Sequence, residues 1–482
     1  MVPMTLQEIA ETVGGVLHGV PDPAAVVDRP AVVDSRLAEP GSLFVALPGE
    51  HTDGHLFAAA AVGAGAVAVL ASRPVDGPAI VVRDVLEALA ALARAVLARL
   101  AATASPTSPT VIALTGSAGK TSTKDLLAQV LRTMDTTVAT PLSFNNDIGL
   151  PLTVLHADAG TRHLLLEMGA SRAGHIARLT GIAPPTIGLV INVGTAHLGE
   201  FGGSKEAIAT AKSELVQALP ADGLAVLNAD DPYVMSMASR TLAPVLTFGR
   251  RGGEVRATGI ALDEAGRPSF TLAWQGSAAR VRLGMYGEHH VANATAAAAV
   301  ALGLGAGLDH IAEVLSSARQ LTPGRMEVGE RPDGVTVVND AFNANPDSMA
   351  VALRALAAMA GGRRRVVAVL GEMRELGGES ESHHAELGRR VAAAGVTDLI
   401  AVGGAEALLV HDQARALGVT STLVADRDAA LELLRDYLKP GDLVLVKGSH
   451  STGLEDTARR LTKADAAADE RLREAVTRAN PA

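Results

Sequence analysis

Short apolar runs separated by stretches of helical periodicity recur along this 482-residue chain. "TVIALTG" (110–116), "RHLLLEMGA" (162–170), "TIGLVINVG" (186–194) and "GLAVLNADDP" (223–232) each read as a strand. "SRAGHIARLTG" (171–181) and "SKEAIATAKSELVQAL" (204–219) read as helices between them. Apolar strands alternating with helices predict a parallel sheet covered on both faces, an α/β fold. From 250 to 285 the runs shorten and alternate, as in "RVRLGMYG" (280–287), which predicts a few antiparallel strands attached to the same unit.

Beyond "LTPGRMEV" (321–328) the alternation resumes with "VTVVNDAF", "RRVVAVLGEM", "TDLIAVG" and "GDLVLVKGS", the pattern of a second, doubly wound sheet. At the other end, residues 58–71 are mostly alanine broken by Gly63 and Gly65, and predict a buried helix leading into a strand. Residues 84–102 have helical periodicity, and "AATASPTSPT" (101–110) reads as a linker. Three domains follow: an N-terminal α/β unit at 1–106, a central P-loop-type, mostly parallel sheet at 107–322, and a C-terminal Rossmann-like unit at 323–482. The alanine-rich, charged tail from 464 reads as a terminal helix with frayed ends.

Composition narrows the partners. Apolar residues make up 48% and charged residues 20%, as in soluble globular proteins. A net charge of −10 argues against general nucleic-acid binding and leaves room for a local basic pocket. There are no cysteines, which excludes disulfides, thiolate catalysis and cysteine-ligated metals. No apolar segment is long enough to insert into a membrane, and "MVPMTLQEIAETVGG" lacks the basic start and apolar run of a secretory leader. A cytoplasmic address is expected.

Candidate chemistry begins at Gly116-Ser117-Ala118-Gly119-Lys120-Thr121. This is a phosphate loop two residues shorter than the usual G-x-x-x-x-G-K-[ST]. Its glycines allow backbone N–H groups to face a phosphate, Lys120 supplies charge to the β- and γ-phosphates, and the Thr121 hydroxyl stands where such loops ligate Mg²⁺. Glu167 closes a strand parallel to the loop strand, the place for a magnesium ligand, although an acid there is commonly a helix cap. His197 follows another strand of the same sheet. Taken alone it reads as a loop histidine, and Lys212 as the solvated side of a helix.

The shortened loop, "SFNNDIGLPLT", "EMGASRAGHI", "NVGTAHLGEFG", "AKSEL", "NADD", "PGRME" and "NDAFNANPDSM" occur in an order that resembles the Mur ligases. These are ATP-dependent amide-forming ligases of peptidoglycan precursor synthesis, and the resemblance covers nearly the whole chain. It implies that Gly116 through Thr121, with Ser122, hold the ATP phosphates. Thr121, Glu167, His197 and Lys212 would arrange two Mg²⁺ ions, Lys212 as a carbamate. Asn145 and Asn146 would lie beside the phosphate site and incoming substrate, and Asn293 would contact adenine. Arg325, Asp340 and Asn343 would approach the nucleotide from the third domain as the domains close. Phe342 stands where many relatives have tyrosine, which keeps stacking and loses a hydroxyl.

In the first domain Asp34-Ser35-Arg36 and Asp53-Gly54-His55 resemble elements that hold a uridine diphosphate, so Ser35, Arg36, Asp53 and His55 are expected on that substrate. The absence of D-N-P-R, together with "NANPDSM" and "LVKGSHSTGLE", resembles the D-alanyl-D-alanine-adding branch of the family, with Lys447 and Ser449 near the dipeptide. The implied reaction joins D-alanyl-D-alanine to UDP-N-acetylmuramoyl-tripeptide through an acyl phosphate, in a monomeric enzyme. Three alternatives stay open: the sister ligase adding diaminopimelate or lysine to the dipeptide, a folylpolyglutamate synthetase, and a nucleotide-dependent binding protein. The doublets His289-His290 and His383-His384 are read as surface or helix-start residues, because adjacent side chains on a helix diverge.

Overall fold

The computed structural model describes residues 1–49, 52–102, 108–196 and 198–462; His197, the tail from 464 and residues 103–107 of the expected linker lie outside the described residues. Three larger sheets follow one another along the chain. The central one has nine strands in the order Ser277–Arg282, Pro268–Trp274, Val255–Leu262, Val245–Gly249, Leu224–Asn228, Ile187–Val190, Thr110–Thr115, His163–Glu167, Thr137–Ala139. Pairing is parallel from Val255–Leu262 to Thr137–Ala139, and antiparallel only across the three strands of the far edge. The expected antiparallel addition is therefore present, but its first strand enters the sheet in parallel.

Register brings the functional ends together. Glu167 pairs with Leu114, and Val190 with Thr115, so three neighbouring strands finish at one level. In a parallel sheet that carboxyl edge is where the loops form a crevice. Beneath it, helix Lys120–Met134 buries Leu126, Leu127, Val130 and Leu131 against Ile112 and Leu114. Helix His289–Gly303 packs beside it, and its buried run from Ala294 to Ala301 is mostly alanine, small enough for close approach on every side.

The third sheet has six strands, in the order Glu327–Glu330, Thr336–Asn339, Leu443–Lys447, Val366–Gly371, Asp398–Val402, Thr420–Val424. The four inner strands are those that the apolar runs predict. Thr420–Val424 is a half-exposed edge strand of polar alternation, too weak a signal to read from the sequence. In the first unit Ala31–Val32, Leu43–Val45, Ala68–Ala71 and Ala79–Val81 run parallel, with Val16–His18 antiparallel at the edge. The alanine-rich segment forms helix Ala58–Gly63 and the strand Ala68–Ala71, but the helix is not buried as expected: Ala58 and Ala61 face the core while Ala59, Ala60 and Gly63 are exposed.

Helix Val85–Ala102 belongs to two cores. Leu89, Leu92 and Val96 pack into the first unit, while Ala90, Ala93 and Leu97 pack into the central one. The passage from second to third sheet is tied to the phosphate-loop helix: Gln129 exchanges hydrogen bonds with the Arg319 backbone at 3.0 Å each, and Asp125 Oδ2 accepts from Thr322 N at 3.0 Å. No described helix is long and apolar enough to cross a membrane.

Candidate active site

The phosphate loop is braced before any ligand arrives. Asn192 Oδ1 accepts from Ser117 N at 3.0 Å and Ala118 N at 2.9 Å, and its Nδ2 donates to Ala118 O at 2.9 Å. Lys120 Nζ donates to Gly116 O at 2.8 Å, curling back over the loop. Gly119 has φ +80°, and a Cβ there would meet Asn293 Oδ1 at 2.6 Å. Glycine is required twice over at that position, by backbone conformation and by space.

A cavity of about 1160 Å³ opens in front of this loop, walled by Ser117–Ser122, Glu167 and Asn293 on one side and by Arg325, Asp340 and Lys447 on the other. Several buried polar atoms facing it have no protein partner: Ser117 Oγ, Glu167 Oε2, Asn293 Nδ2 and Arg325 Nε. Orphaned buried groups on this scale signal a missing ligand. Glu167 is 1% exposed; its Oε1 accepts from Asn145 Nδ2 at 2.8 Å, which aims the free oxygen. Arg325 Nη2 donates to the Thr121 hydroxyl at 3.3 Å, and its guanidinium lies 4.1 Å above the Phe342 ring. Phenylalanine thus supplies the stacking face here without a hydroxyl.

Among the described residues no group of three or more His, Asp or Glu assembles into a metal site. The free oxygen of Glu167 and the Thr121 hydroxyl nevertheless suit a hard cation, and such an ion would draw its remaining ligands from phosphate and from Lys212 if carboxylated. Lys212 lies on helix Lys205–Gln217 and is 3% exposed, the opposite of the solvated position its spacing suggests in isolation. Burial pushes its amine well below the usual lysine value, and the charge of Lys120 pushes the same way. Lys120 is itself lowered by desolvation, with Glu167 opposing.

The third-sheet residues divide by use. Asp340 takes an ion pair from Lys447 Nζ at 2.7 Å and accepts from Met326 N at 3.1 Å. Lys447 also donates to the backbone carbonyls of Asp340 and Asn343, so its ammonium is fully engaged in the cavity wall. Asn343 lines the cavity. Ser449 Oγ accepts from Arg374 N at 2.9 Å, outside the lining. Asn146 caps a turn, accepting from Ile148 N and Gly149 N, whereas Asn145 reaches the site. The histidine doublets are not surface pairs. His289 and His290 start a helix, but their rings stack 4.1 Å apart and His290 is 1% exposed; His384 is fully buried, its ring held by Met373 N and Ser380 O. His289 and His290 line the cleft between two sheets, whereas His384 is buried within the third unit.

In the first unit Asp34 caps the turn Ser35–Leu37 and grips the exposed Arg36 guanidinium at 2.6 Å. Asp53 binds His55 Nδ1 and Arg73 Nη2, each at 2.6 Å, while Ser72 N donates to His55 Nε2 at 3.1 Å. His55 thus accepts through Nε2 and turns Nδ1 to the Asp53 carboxylate. The Arg73 guanidinium holds the Asp53 carboxyl well below the usual range. Sequence reading missed Arg73, twenty residues downstream of its partner, and missed Asn192, an unremarkable asparagine at a strand end.

Three family models match the chain: "Mur ligase family, catalytic domain" over 32–103, "Mur ligase middle domain" over 114–301, and "Mur ligase, glutamate ligase domain" over 324–450. It is 47% identical to the UDP-N-acetylmuramoyl-tripeptide–D-alanyl-D-alanine ligase of Mycobacterium tuberculosis H37Rv, across 96% of this chain and 99% of the relative. A crystal structure of MurF from Acinetobacter baumannii superposes with a TM-score of 0.82 at 32% identity, covering 96% of this chain and 99% of that one. The MurF ligase of Thermotoga maritima, solved in complex with ADP, superposes with 0.74 at 30% identity, covering 94% and 99%. With its braced phosphate loop, its cleft between two sheets and relatives matched end to end, the chain belongs to the Mur ligase family.

Proposed function

We propose that this chain joins D-alanyl-D-alanine to UDP-N-acetylmuramoyl-tripeptide at the expense of ATP, in peptidoglycan precursor synthesis. The observation that carries it is the cleft itself: a phosphate loop and a buried carboxylate with one free oxygen line it, in a chain 47% identical to a ligase of that name. The ADP complex of the T. maritima relative supports the nucleotide.

In this reading the loop N–H groups from Gly116 to Ser122 and the Lys120 ammonium hold the β- and γ-phosphates, and Asn293 takes the adenine. The terminal carboxylate of the tripeptide attacks the γ-phosphate, giving an acyl phosphate and ADP. The amine of the dipeptide then adds to the activated carbonyl, and phosphate leaves. Thr121, Glu167, His197 and Lys212 as its carbamate would hold two magnesium ions, whose charge offsets the repulsion between carboxylate and phosphate. A neutral amine is what carbamate formation requires, and desolvation shifts Lys212 toward that form. Arg325 reaches Thr121 from the third domain and steadies the phosphate end, while Asp340 and Asn343 belong to the same wall. Lys447 and Ser449 serve the dipeptide side by holding that wall and the Arg374 turn. Ser35, Arg36, Asp53 and His55 hold the uridine diphosphate. The need for ATP supports a cytoplasmic enzyme.

Phosphate release from Mg-ATP tests this. Turnover is expected only when UDP-N-acetylmuramoyl-tripeptide and D-alanyl-D-alanine are both present. Turnover with the dipeptide acceptor and a single diamino acid would move the chain to the sister ligase, and silence with every pair would leave a nucleotide-binding protein.

A further inference from the structure

Thr195 is bound across the boundary between the central and third sheets. Its backbone N–H and its hydroxyl both donate to Asp347 Oδ2, at 2.6 and 2.8 Å. Asp347 lies in the first turn of helix Pro346–Ala360, whose N-cap Asn345 fixes the start of that helix. Three residues before Thr195, Asn192 makes the three hydrogen bonds that brace the phosphate loop. Val193 N between them is held by Asp231 Oδ2 at 2.8 Å. Gly194 fills the remaining gap: a Cβ there would lie 2.4 Å from Asp347 Oδ2 and 3.3 Å from Ser117 Cβ.

Residues 192–195 therefore form a strap, with the phosphate loop bonded to one end and the third domain bonded to the other. A stretch this short is inextensible, since consecutive Cα atoms stand ~3.8 Å apart. A shift of Asp347 must move Thr195 and, through it, the backbone that carries Asn192. We infer that Asp347 is a positioning residue that docks the third domain on this strap and couples domain closure to the geometry of the phosphate loop. It acts through Thr195. The inference rests on the ligase reading only for its kinetic readout.

The chain has no cysteine, so dyes on cysteines introduced at Leu242 and Leu417, which are 85% and 55% exposed, report the separation of the central and third units without background. Asp347→Ala is expected to lower energy transfer between them and to reduce kcat by about 10- to 100-fold, the scale of a misplaced reacting group, while the Kd for ADP changes far less. Asp347→Asn, which keeps one acceptor oxygen, should fall between. Gly194→Ala, whose methyl crowds the same oxygen, should reproduce the loss of energy transfer with Asp347 intact, and adding Asp347→Ala should cause little further loss. Unchanged energy transfer and kcat in a folded Asp347→Ala protein would overturn the inference. So would an equal loss of kcat and ADP affinity, the mark of simple damage to the loop. If Asp347→Ala does not fold, Thr195→Val carries the comparison: a smaller loss in the same direction supports the inference, and none overturns it. An opened Asp347→Ala protein beside a wild type that lacks ligase turnover would sink the proposed activity and leave the docking role standing.

Discussion

Glu167 has one oxygen committed and one free, which makes its charge separable from its scaffold role. Glu167→Gln keeps an acceptor for Asn145 and removes the anion. The expected result is a fall in kcat of about 10²- to 10³-fold, the scale of losing one preorganised electrostatic group, with the melting temperature little changed. Lys212→Ala should show a loss of similar size that added short carboxylates partly restore, and ¹³CO₂ should give the wild type a carbamate resonance that the variant lacks. The sign of the pH effect follows from burial. The folded chain holds Lys212 below its unfolded value, so on acidification the unfolded state takes up the proton first and stability falls through that window. Acid also protonates the amine and removes the carbamate; activity in bicarbonate-depleted buffer should therefore fall more steeply toward low pH than in bicarbonate. At this scale the loop residues were legible in the sequence because their spacing is local. Asn192, Asp347 and Arg73 were not, because each finds its partner 20 or more residues away through packing that no short window encodes.

Gly119 shows what an element demands of its sequence. The loop must turn from strand Thr110–Thr115 into helix Lys120–Met134 with φ +80° at its last residue, pressed against Asn293. Gly119→Ala is expected to cost about 1–2 kcal/mol for the left-handed backbone alone. It should also displace the asparagine, so ADP affinity should drop together with the melting temperature, measured by calorimetry and by scanning fluorimetry. Inner strands such as Leu443–Lys447 were readable because both faces are buried and every position is apolar until the lysine that ends it. Edge strands such as Thr420–Val424 and Glu327–Glu330 carry half-exposed polar residues, and hydrogen bonding to one neighbour holds them where composition gives no signal. The lysine that closes Leu443–Lys447 is buried with its charge met by the Asp340 carboxylate and its remaining protons by two backbone carbonyls. Lys447→Met should leave that carboxylate unpaired and cost about 3–5 kcal/mol, read as a lowered denaturant midpoint.

Across the whole molecule three sheets meet through a small number of shared pieces. Helix Val85–Ala102 is common to the first two cores, and the cleft between the second and third sheets opens onto the phosphate loop. Three separate domains with their sheet types could be read from alternating patterns, whereas the way they face one another could not. Interfaces are written in single side chains such as Gln129 and Asp125, which look like any polar position on a helix. Asp125→Ala should loosen the passage to the third sheet and strip the buried Lys124 of its ion pair at 2.8 Å, lowering the melting temperature of the central unit, to which both residues belong.

That tie near Thr322 acts as a fulcrum. A plate swung about an axis moves each of its points in proportion to the radius, and Arg325 stands only three residues past the tie, within about 11 Å of it along the chain. A swing of the third unit about the tie would disturb Arg325 and its contact with Thr121 least.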